Sequence, residues 1–111
     1  MGASLVYLEK PNTTKNSDNG ENSLVRFGVS DMQGWRINME DAHIANPNFD
    51  VGQSLFAVFD GHGGKEVALY CSRHLGDVLK TDNNFRQGEI GRGLQNSFLK
   101  IDQDLDQNDA R

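Results

Sequence analysis

The stretch LFAVFDGHGGKEVALYC, residues Leu55–Cys71, decides how the fold is predicted, because it changes character twice. Its first five residues, Leu55–Phe59, are all apolar, which predicts a strand that is buried on both faces. Asp60 follows directly, and three of the next four residues are glycine. A carboxylate at a strand end can point into a cleft, and glycine lets the backbone come close to whatever the carboxylate holds.

Beyond this turn the pattern becomes helical, because apolar residues recur on one helical face from Lys65 onward. The polar segment Thr81–Asn84 is expected to end this helix. A second amphipathic helix is predicted from Ile90 to Leu105. Cys71 lies on the apolar face of the first helix and is expected to act as a small buried hydrophobe.

The residues upstream of this stretch predict further strands. Val25–Val29 alternates apolar and polar residues, which is typical of a half-buried strand, and Gly34 is expected to interrupt it. A second strand is predicted at Met39–Ala45, and the turn-rich segment 46–54 is expected to connect hairpin-like strands. Pro11–Ser23 is polar and is expected to be a loop or a mobile arm. Strands therefore precede helices, which predicts an α+β fold with helices packed against a sheet.

The composition excludes several classes of protein. The chain has 111 residues, with 11 Lys and Arg against 16 Asp and Glu, and this acidity argues against nucleic-acid binding. Because no apolar run approaches the length of a membrane span and no signal-peptide pattern opens the chain, we expect neither feature. The single cysteine favours a reducing compartment, so we expect an intracellular protein in the cytoplasm, the nucleus or both. Val6 stands where a myristoylation motif needs Ser or Thr, so membrane contact through an acylated Gly2 has no support.

Three explanations compete for the turn Asp60–Gly64. Phosphate binding by a glycine loop fails, since Phe59 and Glu66 stand where the known loop motifs need glycine, serine or threonine. A site for Mg²⁺ or Mn²⁺ is the second explanation, because these ions prefer carboxylate and carbonyl oxygens, which Asp60 and Gly61 supply. A purely structural strand-to-helix turn, with aspartate as a cap, is the third. The turn by itself leaves the second and third explanations open.

A second cluster, MQGWRINMEDAH at Met32–His43, favours the metal explanation. Arg36 has the side-chain shape that binds a phosphate through two parallel hydrogen bonds. Glu40 and Asp41 add two carboxylates, but successive residues of a strand point to opposite faces. At most one of them is therefore expected to join Asp60 directly, and the other to act through water. The alternative is a charge cluster on a surface loop.

Together, MQGWRINMEDAH and FAVFDGHGGKEVALYC resemble the protein phosphatase 2C family, the metal-dependent serine/threonine phosphatases. The resemblance extends over residues 24–79. It implies that residues 24–111 form the N-terminal portion of a catalytic domain, a four-layer α-β-β-α sandwich with antiparallel sheets and a two-metal site between them. Residues 1–23 are then expected to be a flexible arm, and phosphorylated proteins are the expected substrates.

The same resemblance implies a role for each candidate residue. Asp60 is expected to bridge two Mn²⁺ or Mg²⁺ ions, and Gly61 to offer its main-chain carbonyl to one of them. Glu40 is expected to bind or approach that ion, and Asp41 to hold a metal-bound water. Two such ions lower the pKa of a bridging water, which then attacks phosphorus in line.

The resemblance also implies that two further residues act on the substrate. Arg36 is expected to bind the phosphate. His62, which can exchange protons near neutral pH, is expected to protonate the leaving serine or threonine oxygen. No cysteine nucleophile is needed, and Asp77 stands where a cysteine-dependent phosphatase loop built on Cys71 needs arginine.

The family's catalytic domain is longer than this chain, and its remaining metal-binding aspartates lie far downstream. We therefore expect the chain to be a fragment that is inactive alone. Two other classes stay open: a non-catalytic phosphatase-like module that regulates or binds partners, and an acidic metal-binding domain without phosphatase chemistry. Loss of Asp60 or Arg36 would favour the non-catalytic module, but both residues are present. A pure metal-binding domain has no use for Arg36, so phosphate competition with metal bound would separate it from an enzyme.

Overall fold

The computed structural model describes residues 6–108, in which four strands precede three helices. The elements are β1 (Tyr7–Glu21), β2 (Arg26–Arg36), β3 (Ala42–Asp50), β4 (Gln53–Phe59), α1 (Glu66–Thr81), α2 (Asn83–Arg86) and α3 (Ile90–Asn108). The strands form two antiparallel two-stranded sheets, β1–β2 and β3–β4. This arrangement confirms the predicted α+β class and is consistent with a fragment of the α-β-β-α sandwich.

The first hairpin corrects the prediction of a loop at Pro11–Ser23, since β1 runs through most of that segment and pairs with β2. Polar side chains bond across the two strands: Asn16 donates to Asp31 at 3.1 Å, and the hydroxyls of Ser17 and Ser30 lie 2.8 Å apart. Most of β1 is exposed, so its sequence has no apolar alternation to reveal a strand. The domain boundary at residue 24 and the mobility of residues 1–23 stay predictions, and Gly2 lies outside the described residues.

We predicted that Gly34 interrupts the strand, but β2 continues past it. Gly34 adopts a φ of 65°, a conformation that glycine takes at little cost, and the strand continues to Arg36. The pairing with β1 is irregular at this point, because Asn12 pairs with Gly34 but Tyr7 pairs with Arg36. The glycine therefore accompanies a bulge in the ladder rather than a break.

The second hairpin begins later and extends further than predicted. β3 starts at Ala42 instead of Met39 and includes most of segment 46–54, which we had predicted to be a connector. Only Val51 and Gly52 separate the strands, and Gly52 has a φ of 69°. The ladder is irregular between residues 46 and 50, so a strand with a bulge replaces the expected turns.

The prediction that β4 is buried on both faces is wrong for the described residues. Leu55 and Phe59 pack against the core, whereas Phe56 is 45% exposed and Val58 is 75% exposed. Helices cover one face of this hairpin. On the other face, the ring of Phe27 from β2 lies 5.3 Å from that of Phe56.

The core lies between the helices and the second hairpin, and it confirms both amphipathic helices. Its fully buried members come from β3 and from all three helices; they are Phe49, Leu75, Leu79, Phe85, Ile101 and Leu105. Cys71 is half-buried and packs against this cluster, close to the expected role. In the described part of the chain, no helix is both long enough and apolar enough to cross a membrane.

The short helix α2 was not predicted, because a polar stop was expected at Thr81–Asn84. Asp82 ends α1 and also begins α2, since its carboxylate accepts a 2.9 Å hydrogen bond from the main-chain N–H of Phe85. Its second oxygen accepts from Asn96 of α3 at 3.1 Å. The same aspartate therefore joins the three helices.

Candidate active site

The turn that carries Asp60 joins β4 to α1, as the sequence predicted. β4 ends at Phe59, and Asp60 is exposed at that strand end. Gly63 and Gly64 have φ values of 73° and 134°, which side-chain-bearing residues rarely adopt. These two glycines therefore allow the chain to turn sharply between the aspartate and the helix.

The MEDAH segment and the glycine turn meet at Gly61. The last residue pair of the second hairpin is Ala42 with Phe59, so the preceding residues Glu40 and Asp41 continue toward the turn. A Cβ atom built on Gly61 would overlap the carbonyl oxygen of Glu40 and lie 3.0 Å from that of Gly64. Only glycine permits this close contact between the main chains of the two motifs.

Glu40 and Asp41 lie before β3, which corrects the prediction that they alternate along a strand. The ladder ends at Ala42, because the glycine turn opposite no longer has extended geometry. Glu40 is half-buried and Asp41 is exposed. Strand alternation therefore does not decide which of the two carboxylates faces Asp60.

The oxygen donors suit Mg²⁺ or Mn²⁺ in kind, since both ions prefer carboxylate and carbonyl oxygens. Within residues 6–108, however, no three His, Cys, Asp or Glu side chains converge closely enough to hold a metal ion. The structure thus brings the main chains of Glu40 and Gly61 together without gathering their carboxylate neighbours into a complete ligand set. The described residues therefore offer donors of the right chemical kind but do not form a metal site among themselves.

The imidazole of His62 folds back over its own turn. Its Nδ1 lies 3.0 Å from the carbonyl oxygen of Asp60, and because a carbonyl can only accept, Nδ1–H is the donor. The other ring nitrogen, Nε2, is left to exchange a proton with a bound molecule. The ring borders a groove of about 440 Å³ that Asp60, Gly61 and Cys71 also line.

Burial raises the pKa of the Cys71 thiol, which keeps it protonated at neutral pH. A protonated thiol is a poor nucleophile, although the residue lies beside the groove of His62.

Arg36 is the last residue of β2, and its side chain is exposed. No carboxylate of residues 6–108 lies within ion-pairing distance of its guanidinium group. The main-chain carbonyls of Arg36 and Ile37 accept hydrogen bonds from the side-chain amide of Gln33, at 2.8 and 2.9 Å. The guanidinium group is therefore available to bind an anion. The hydrogen bonds from Gln33 hold the main chain at Arg36 and Ile37.

A second groove, of about 600 Å³, connects this end of β2 to the glycine turn. Gln33 and Glu40 line one side of it, and Gly63 and Gly64 line the other. Gln33 was missed by the sequence analysis. Nothing in the composition of MQGWR distinguishes a glutamine that faces solvent from one that bonds to the backbone ahead of it.

Comparison with known proteins gives the family of the chain. The model of the Protein phosphatase 2C family matches residues 25–111, which is most of the chain. The chain belongs to the protein phosphatase 2C family.

Similar proteins come from distant organisms. Protein phosphatase 1G of Rattus norvegicus is 45% identical over 108 residues, which cover 95% of this chain and 19% of that protein. Probable protein phosphatase 2C 60 of Arabidopsis thaliana is 43% identical over 98 residues, 88% of this chain and 28% of that protein. Probable protein phosphatase 2C 6 of Paramecium tetraurelia is 44% identical over 99 residues, 89% of this chain and 34% of that protein. The chain therefore spans from 19% to 34% of the length of these curated relatives.

Proposed function

We propose that this chain supplies the first part of the catalytic domain of a metal-dependent protein serine/threonine phosphatase. The observation that carries the proposal is the contact between Gly61 and the main chain of Glu40. It brings the two chemistry-bearing segments together. The family membership and the relatives named as protein phosphatases support the same activity.

The oxygen atoms of this site fit a divalent cation. Asp60, Glu40 and Asp41 would hold Mn²⁺ or Mg²⁺ through carboxylates, and Gly61 through its carbonyl oxygen. When bound, such ions lower the pKa of water and offset the negative charge of a phosphate. The close packing at Gly61 keeps the Glu40 backbone beside the end of β4, which fixes where these donors can lie.

Arg36 and His62 act on the substrate in this proposal. The guanidinium group of Arg36, free of carboxylates in the described residues, binds two phosphate oxygens of phosphoserine or phosphothreonine. Nδ1–H of His62 is held by the Asp60 carbonyl, so the proton for the leaving oxygen comes from Nε2 of the protonated ring. The alternative is a non-catalytic binding module, which needs neither the free guanidinium group of Arg36 nor the orientation of the His62 ring.

We further propose that the 111 residues alone do not hydrolyse phosphopeptides; the support is that no three His, Cys, Asp or Glu side chains of residues 6–108 converge closely enough to hold a metal ion. Proteins with phosphorylated serine or threonine are the proposed substrates. An intracellular location, in the cytoplasm or nucleus, is proposed with them and rests on the single cysteine.

The test measures hydrolysis of a phosphothreonine peptide with and without Mn²⁺ or Mg²⁺. The full-length protein carrying this sequence is expected to be active only with metal. Asp60→Asn is expected to remove that activity, whereas Asp77→Asn, an exposed carboxylate on α1, is the matched control and should retain it. The separate 111-residue chain is expected to be inactive. Equal activity of the Asp60→Asn variant would contradict the proposed site, and an active 111-residue chain would contradict the proposed division of the ligand set.

A further inference from the structure

Gln33 uses both ends of its side-chain amide at the end of β2. Its Nε2 donates to the carbonyl oxygens of Arg36 and Ile37, at 2.8 and 2.9 Å. Its Oε1 accepts a 3.3 Å hydrogen bond from the side chain of Asn12 on β1. The glutamine therefore links the neighbouring strand to the backbone that carries Arg36.

Strand pairing ends at this point of the backbone. Arg36 is the last residue of β2 to pair with β1, and residues 37–41 belong to no ladder. Gly34, with a φ of 65°, turns the chain just after Gln33. The side-chain amide of Gln33 can therefore reach the carbonyls three and four residues ahead of it. The two hydrogen bonds from Gln33 thus add to the pairing of Arg36 with Tyr7 and extend the support to Ile37, the first residue beyond the ladder.

Gln33 also faces the candidate active site. It lines the groove of about 600 Å³ that Glu40, Gly63 and Gly64 border. The guanidinium group of Arg36 has no carboxylate partner among residues 6–108. Its direction therefore depends on the conformation of its own main chain, which is the part that Gln33 holds.

We infer that Gln33 is a positioning residue, which orients Arg36 for binding the substrate phosphate. The inference rests on the proposed function. A phosphate-binding arginine gains affinity when its geometry is fixed before the substrate arrives, because less freedom is lost on binding. Gln33 touches neither substrate nor metal in this role and acts only through Arg36.

The test uses the full-length protein and inorganic phosphate as the probe. Gln33→Met keeps the size of the side chain and removes both donors. We expect the inhibition constant for phosphate and KM for a phosphothreonine peptide to rise about three- to tenfold, as the loss of two exposed hydrogen bonds suggests. The kcat value is expected to change less than about twofold, since an unoriented arginine weakens binding of substrate and transition state alike.

A double-mutant cycle separates positioning from general stability. In an Arg36→Ala background, Gln33→Met is expected to change the phosphate inhibition constant by less than about 1.5-fold, because the residue it acts through is gone. Asn16→Ala, which removes a hydrogen bond to Asp31 elsewhere in the same ladder and leaves Gln33 untouched, is the matched control and should leave phosphate inhibition unchanged. Gln33→Leu, which also lacks the donors and adds no charge, is the second variant and should weaken phosphate inhibition like Gln33→Met.

Two results would overturn the inference alone: the same loss of phosphate binding in both backgrounds, or no loss in either Gln33 variant. Full-length protein that folds but neither hydrolyses the peptide nor responds to Arg36→Ala overturns the proposed function, and this inference with it. The unmodified protein and the Arg36→Ala variant therefore report on the proposed function, and the Gln33 variants report on the positioning role.

Discussion

Gly61→Ala places a methyl group where the two motifs touch. The new Cβ would overlap the carbonyl oxygen of Glu40 and lie 3.0 Å from that of Gly64. Both neighbours are main-chain atoms, so no side-chain rotation can relieve the overlap. Gly61 is not among the glycines with positive φ, so the expected cost is steric rather than conformational.

Overpacking of this kind costs roughly 1–3 kcal/mol, and backbone neighbours place the Gly61→Ala substitution near the upper end, at about 3 kcal/mol. For a domain of about 150–250 residues, about 1 kcal/mol shifts the midpoint of thermal unfolding by about 2–4 °C, so we expect a decrease of about 6–12 °C in the full-length protein. Relief of the overlap requires the main chains of Glu40 and Gly61 to separate by about 1 Å. A displacement of that size in a catalytic site lowers the rate by about 100-fold.

Thermal unfolding and metal-dependent hydrolysis of a phosphothreonine peptide, both by the full-length protein, measure the two effects. Gly28→Ala in β2 is the matched control, because a Cβ there meets nothing within 4 Å and the glycine has no positive φ. Its midpoint should change by less than about 2 °C. A Gly61→Ala protein with the midpoint and kcat/KM of the parent would refute the steric argument and the role assigned to the contact.

Three further predictions concern stability. The side-chain amide of Asn22 takes part in four hydrogen bonds of 2.8 to 2.9 Å: two reach Pro47 and Asn48 of the second hairpin, and two hold the nearby main chain at Leu24 and Val25. Asn22→Ala should therefore lower the free energy of unfolding in urea by roughly 1–2 kcal/mol. Asn19→Ala, in the neighbouring strand, is its control and should change that free energy by less than about 0.5 kcal/mol. Asp82→Ala removes the cap of α2 and the bond to α3, and urea unfolding should show a loss of roughly 1–2 kcal/mol, most of which Asp82→Asn restores. Burial raises the pKa of the Cys71 thiol, so the unfolded state loses the proton first as pH rises. The free energy of unfolding should therefore fall above the unfolded pKa of about 8.5, and Cys71→Ala should remove this part of the pH dependence.

The elements that the sequence predicted well are those whose apolar residues face one shared core. α1 and α3 each bury a stripe of residues at helical spacing, and the turn at Asp60 follows from its glycines. β1 could not be predicted in this way, because most of its residues are exposed and its pairing depends on polar bonds to β2. The pattern of apolar residues within β1 does not indicate a strand that is held by polar bonds to another strand.

The dependence of a strand on its partner strand also explains the wrong prediction for Glu40 and Asp41. Glu40 and Asp41 were assigned to a strand because they precede alternating residues, yet the ladder ends at Ala42. Where a ladder ends is decided by the opposite strand, and here Gly61 begins the turn that stops it. The candidate residues could therefore be named from sequence, whereas their mutual geometry required the partner strand.

The second hairpin explains how segments far apart in sequence form one site. A shift of its register by one residue would move every side chain to the other face and expose Phe59, which packs on the core. Core packing therefore holds the pairing of Ala42 with Phe59, and that pairing brings Glu40 to the glycine turn. Because the apolar residues that fix the register lie outside the site, the site residues are free to be polar. This accounts for a strand that packs one face on the core and ends directly on the exposed carboxylate of Asp60.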